Sequence, residues 1–196
     1  MPRVSRIEQQ RQDLLPIVAR AFSELGLHRA TTAELARRCG VRENILYRLW
    51  DDKKAMYLAA IRYVYDSTIH IWLQQATKKS DEFSLADVLE YESQHLGEFG
   101  HYRILFTGLS ELDDPDIRHA LARMYQDFHA FIKRQLDQSR STSGAKGELN
   151  SSLAAWALIG LGTISTIARE TGCLSPRGRR RLIKEGGRYL AGVAEK

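Results

Sequence analysis

A chain of 196 residues with 43% hydrophobic and 27% charged residues can bury a substantial core, which excludes a disulfide-stapled miniprotein, wholesale disorder and a collagen-like repeat. Two cysteines, Cys39 and Cys173, are too few for a secreted disulfide framework or a zinc ribbon. The net charge of +5 is unevenly spread: residues 1–54 carry eleven Lys/Arg against seven Asp/Glu, residues 55–170 eleven against fifteen, and residues 171–196 seven against two, so the first segment suits a polyanionic partner.

In chain order, apolar residues recur at three and four nearly everywhere and no hairpin turn interrupts them, which predicts an all-α protein. The first helix places Leu14, Leu15, Val18, Phe22 and Leu25 on one stripe and ends at Gly26. Pro16 favours a start near Asp13, where its missing N–H falls in the first turn. Two short helices follow over 32–38 and 43–50, separated by Cys39, Gly40 and Val41, with Thr32 as the N-cap of the first. A long helix over 53–78 would extend about 38 Å. Further helices are predicted over 85–99, with a Phe83 to Val88 staple, and over 101–111, 115–138, 149–171 and 176–194, with residues 139–147 as a mobile loop. The longest uncharged stretch, Leu153 to Ala168, is short of a bilayer crossing and reads as a buried helix. No export signal of about 7–15 apolar residues opens the chain, and a cytoplasmic location is expected.

Residues 32–50 fit the physical requirements of a helix-turn-helix. Leu35, Cys39, Val41, Leu46 and Leu49 supply apolar contacts between two helices, Ala36 stays small where they cross, and Gly40 permits the tight turn. The second short helix then exposes Arg42, Glu43, Asn44, Tyr47 and Arg48. Arginine suits guanine, asparagine suits adenine, and tyrosine and threonine hydroxyls suit phosphates. Glu43 has two readings: an acceptor for a cytosine amino group, or an anion placed at a helix start.

The ordered pieces Ala21-Phe22…Gly26, Ala30-Thr31-Thr32-Ala33-Glu34-Leu35-Ala36, Cys39-Gly40-Val41…Leu46-Tyr47…Trp50 and Asp52-Lys53-Lys54…Met56 resemble the DNA-binding domain of the TetR family of bacterial transcriptional regulators. The resemblance implies a three-helix helix-turn-helix domain at 1–54, joined by a long helix to a helical ligand-binding and dimerisation domain at 55–196. It implies phosphate contacts from Thr32, Tyr47 and Lys53 and a turn glycine at Gly40. Arg42, Glu43 and Asn44 stand where members commonly have Ser, Lys and Gly, so no operator sequence carries over from a relative.

The expected function is a ligand-responsive repressor that binds a palindromic DNA operator as a homodimer and is released by a small apolar or aromatic molecule. His95, Phe99, Tyr102, Phe106 and Phe128 are the candidate pocket residues. The segment from Leu153 is hydrophobic nearly all round, so Ala157, Gly160, Leu161 and Ile164 are the candidate dimer contacts. Arg177, Arg179, Arg180 and Arg181 read either as a solvated rim or as a second anion or partner contact. No nucleophile–base pair or carboxylate dyad is legible, so no catalysis is expected. No resident cofactor or metal is expected, because none of the six histidines forms a His-x-x-x-His pair. The alternative is a helical metal- or haem-binding carrier using His95, His101 and His129.

Overall fold

The computed structural model describes residues 5–76, 83–96, 102–143 and 149–192. Among them every regular element is helical: α1 (Arg6–Arg29), α2 (Thr32–Cys39), α3 (Glu43–Leu49), α4 (Lys53–Ala76), α5 (Leu85–His95), α6 (Arg103–Leu109), α7 (Pro115–Ser143), α8 (Ser151–Thr171), α9 (Pro176–Arg181) and α10 (Gly187–Ala191), the last two joined by a π-helical turn at Leu182–Gly186.

Several expected boundaries shift for local reasons. The first helix begins at Arg6 and not near Asp13, because Ser5 caps it by accepting from the Glu8 N–H at 3.1 Å. Pro16 is therefore internal, and Asp13 instead accepts from Gln9 one turn earlier. Gly26 does break the helix, with φ 72° and ψ 173°. Thr31, not Thr32, is the N-cap of α2: its backbone is extended and its hydroxyl accepts from the Glu34 N–H at 3.2 Å. α5 ends at His95 because Leu96 leaves helical backbone at ψ 125°. Residues 139–143, expected in a loop, continue α7, and Arg140 within them donates to the Leu149 carbonyl and the Ser151 hydroxyl. The rest of that predicted loop, and Phe99 and His101, lie outside the described residues.

The chain divides into two units. The first holds residues 1–67 and 100–124. Its core is built on Val18, Phe22, Leu35, Leu46, Met56, Tyr57, Ile61, Ile104 and Ile117, each 0–1% exposed. The Phe22 and Tyr57 rings meet edge to face at 5.0 Å. The Tyr57 hydroxyl donates to the Ile104 carbonyl at 3.3 Å and lies 3.2 Å from the Thr107 hydroxyl, and Lys54 pairs with Asp114 and Asp116. The second unit holds residues 68–99 and 125–196. Leu85, Leu89, Phe131, Ile132, Leu136, Ala154, Ala155 and Ala191 form its core, with Trp72 packed against it.

α8 is not the buried helix expected. By length and composition it is apolar enough to cross a membrane, and only a third of its most apolar window is buried. Leu153, Trp156, Ile164 and Ile167 remain 55, 45, 47 and 38% exposed. With Gly160 they recur at intervals of three and four, an apolar stripe along one helix face.

Candidate nucleic-acid interface

α2 and α3 pack through Leu35, Ala36, Leu46 and Leu49, all buried, with Cys39 and Val41 half-buried beside them. The turn between them rests on Gly40, which takes the left-handed conformation (φ 65°, ψ 28°) that costs a glycine nothing. Its N–H donates to the Arg37 carbonyl, and Val41 returns to the Ala36 carbonyl. Cys39 fills the core side of this turn, and burial pushes its thiol above the usual range, as suits an inert packing residue.

Burying Leu46 and Leu49 turns the opposite face of α3 outward. Arg42, Glu43, Asn44, Tyr47 and Arg48 are all exposed, the set expected from the sequence, and Thr32 stands half-buried beside them. Three of these side chains already touch: Thr32 donates its hydroxyl proton to a Glu43 carboxylate oxygen at 2.7 Å, and Tyr47 donates to the Thr32 oxygen at 3.3 Å. Arg48 donates to Gln10 at 2.7 Å. Arg42 has no ion-pair partner among the described residues.

The position of α3 is fixed by residues that sequence reading missed. Arg11, 38 residues away, donates through Nε (2.9 Å) and a terminal nitrogen (2.6 Å) to the Leu49 carbonyl, so a forked cation closes the C-terminus of α3, where negative partial charge collects. Lys53 opens α4 and donates to the Leu27 carbonyl at 2.9 Å, which leaves an ammonium two further donors. Glu34 accepts from Arg37 and Arg38, whose guanidinium groups hold its carboxyl at about 2, and Arg38 also pairs with Glu24 and lowers it. The spacing Thr31-x-x-Glu34 was the available signal for the true N-cap; nothing in the sequence signals the contact of Arg11 with Leu49.

A short helix held rigidly on one face, with cations, an amide and hydroxyls presented on the other, is the arrangement that enters a major groove. Residues 19–60 match the family model of bacterial regulatory proteins of the tetR family. Those residues are a TetR-family DNA-binding domain. The chain that carries it is a transcriptional regulator of the TetR type. It is 26% identical over 156 residues to the HTH-type transcriptional regulator BetI of Serratia proteamaculans, covering 75% of this chain and 79% of that one. It is 34% identical over 86 residues to the nucleoid occlusion factor SlmA of Haemophilus ducreyi, covering 44% of this chain and 42% of that one. In fold it resembles a TetR-family regulator from Cytophaga hutchinsonii (TM-score 0.77, 15% identity, 99% of each chain). It also resembles a protein from Saccharomonospora viridis solved in complex with choline (TM-score 0.71, 15% identity, 90% of this chain and 94% of that one).

The remaining candidates are dispersed. Tyr102 and Phe106 lie in the first unit, half-buried at and within α6, whereas His95 and Phe128 lie in the second. His95 stacks on Tyr91 at 4.3 Å and Phe128 packs near Trp72 at 5.8 Å. Of the α8 candidates, Gly160 and Ile164 are exposed and Ala157 and Leu161 half-buried, Leu161 within 3.7 Å of where a Cβ on Gly186 would stand. His129 stacks on Trp156 at 4.7 Å and approaches Ser152, and no group of three metal-ligating side chains occurs among the described residues.

Proposed function

We propose that the protein is a ligand-responsive repressor that binds a palindromic operator as a homodimer in the cytoplasm and is released by a small apolar or aromatic molecule. Residues 1–54 contact the DNA, and 55–196 bind the ligand and dimerise. The observation that carries this reading is the outward face of α3, where five polar side chains are exposed over a buried Leu46–Leu49 floor. Arg42, Asn44 and Arg48 read base edges; Thr32, Tyr47 and Lys53 grip phosphates. Glu43, already accepting from Thr32 at the start of α3, organises that hydroxyl pair.

The apolar stripe on α8 supports dimerisation, because a face of Leu153, Trp156, Ile164 and Ile167 left in water invites an identical face about a two-fold axis. A two-fold dimer matches a palindrome whose half-sites repeat at roughly 34–36 Å. Release works through α6. A ligand against Tyr102 and Phe106 displaces a helix tied to α4 through Tyr57, and α1 kinks at Gly26 beside Thr107. Moving α1 and α4 re-aims α3, and the two recognition helices no longer dock together.

The test is selection from random duplex DNA at two salt concentrations. The expected outcome is a palindromic motif whose base preference relaxes in Asn44→Ala or Arg48→Ala, while Tyr47→Phe weakens all sequences alike. Salt-sensitive retention without any motif refutes the operator reading.

A further inference from the structure

Where α5, α8 and α9 meet in the second unit, the structure encloses a polar cavity of about 80 Å³. Its walls include Glu92 and Ser93 of α5, Ser165 and Arg169 of α8, and Arg179 and Arg180 of α9. Two of these side chains hold unsatisfied buried atoms. One Glu92 carboxyl oxygen accepts from the Trp72 indole at 2.7 Å, while the other has no hydrogen-bond partner. The Ser165 hydroxyl has none either.

The serine is informative by contrast with its own helix. Thr163, Thr166 and Thr171 each donate to the carbonyl four residues back, at 2.9, 3.0 and 2.8 Å. Ser165 makes no such bond, so its donor is available to the cavity. Buried polar atoms have a hydrogen-bond partner in nearly every native protein, and where the chain supplies none the charge on the walls says which ligand fits. Three arginines and a single carboxyl line the cavity. Arg169 donates to the Leu96 carbonyl and Arg179 to the Leu174 carbonyl, and none of the three is ion-paired among the described residues.

We propose that this cavity is a binding site for a small monovalent carboxylate, held by Arg169, Arg179 and Arg180, with Ser165 and the acid form of Glu92 donating to its oxygens. A planar carboxylate matches the fork of a guanidinium. A cation would meet three positive charges, and a phosphate dianion would set two negative charges beside Glu92. Burial pushes the Glu92 carboxyl up to about 7, so the donating form is present near neutrality. The groups that act on the Glu92 carboxyl are Trp72 from α4 and His95 from its own helix, while Ser165 and Arg169 of α8 and Arg179 and Arg180 of α9 share the cavity wall with it. Glu90, the nearest other acid on α5, is engaged by Lys184. Carboxylate binding therefore draws a proton onto Glu92 and weakens as pH rises.

The experiment is calorimetric titration of the full chain with sodium acetate, inorganic phosphate and tetramethylammonium at pH 6 and pH 8 in low-salt buffers of different ionisation enthalpy. Acetate is expected to bind saturably at pH 6, with net proton uptake, and at least tenfold more weakly at pH 8. Arg179→Gln combined with Arg180→Gln lowers acetate affinity at least tenfold; Arg179 is half-buried and Arg180 exposed, so the fold survives. Glu92→Gln, whose amide still donates, retains binding and loses the pH dependence, a signature that a purely structural role would not give. No saturable acetate binding at pH 6, tighter binding of phosphate or tetramethylammonium, or an unchanged affinity in the double variant overturns the proposal.

Discussion

Glu92→Gln should change how stability depends on pH. The Glu92 carboxyl is enclosed, its only hydrogen bond is from Trp72, and burial carries it from an ordinary 4.5 to about 7. Because the folded chain holds this proton more tightly than the unfolded chain, the contribution is favourable and complete below pH 4.5. It fades as pH rises and is lost above about 7. Each tenfold change in proton affinity is worth about 1.4 kcal/mol, so ionising the buried group costs the folded state roughly 3 kcal/mol, a large share of the 5–15 kcal/mol typical of a domain. The amide of glutamine accepts from Trp72 without a charge to desolvate. Urea unfolding followed by circular dichroism from pH 5 to 8, with a common m-value, should show the variant gaining on the parent by about 2–3 kcal/mol across that range. Glu24, Glu34 and Asp114 have lowered pKa values, and their contributions are lost only as pH falls through the acid range, so they leave this window untouched. Parallel pH profiles for the two proteins would refute the reasoning.

Gly40→Ala should cost about 1–2 kcal/mol, the penalty of a left-handed alanine, because a Cβ there meets nothing within 4 Å and adds no clash. Thermal unfolding should drop by about 2–8 °C, less in Gly40→Asn, and an unchanged midpoint would contradict the turn assignment. Arg11→Met should cost about 1–2 kcal/mol by freeing the Leu49 carbonyl, discounted for a side chain 39% exposed; operator affinity measured below the melting range should fall too, and unchanged affinity would show that α3 does not need the clamp. Ile164→Lys should leave the helical content of the chain intact and convert the proposed dimer to monomer in sedimentation, whereas a persistent dimer would move the interface off the α8 stripe.

The helix-turn-helix was legible because its constraints are local. Gly40 must turn, Leu35, Leu46 and Leu49 must pack, and five polar residues at helical spacing must then face away. The extent of α1 was not, because Pro16 is a strong local signal against it while the Ser5 cap and the Arg11 contact to Leu49 favour it from outside the window that periodicity samples. The loop reading of residues 139–143 failed the same way, since composition says nothing of Arg140 reaching Leu149 and Ser151. Glu92 was invisible for a different reason. Hydrophobic periodicity assigns a glutamate to a solvated face, and only the packing of α4, α5 and α8 around it reveals an enclosed acid.

The composition of the first unit bears on how such a protein would switch. α3 has seven residues, too few to hold itself in water, so its placement is inherited from α1, α2 and the start of α4. That start is a knot: within five residues, Lys53 closes the end of α1, Lys54 pairs with Asp114 and Asp116, and Tyr57 reaches Ile104 and Thr107. Residues 100–124 are distant in sequence, yet they belong to the same unit as the recognition helix. In the proposed mechanism, then, a ligand that moves α6 acts one helical turn from Lys53, and the signal need not run the length of α4. Thr107→Val tests this step, because it removes the hydroxyl facing Tyr57 with little change of shape. The variant should keep its operator affinity and require more inducer for release. Normal release in that variant would place the coupling elsewhere on α6.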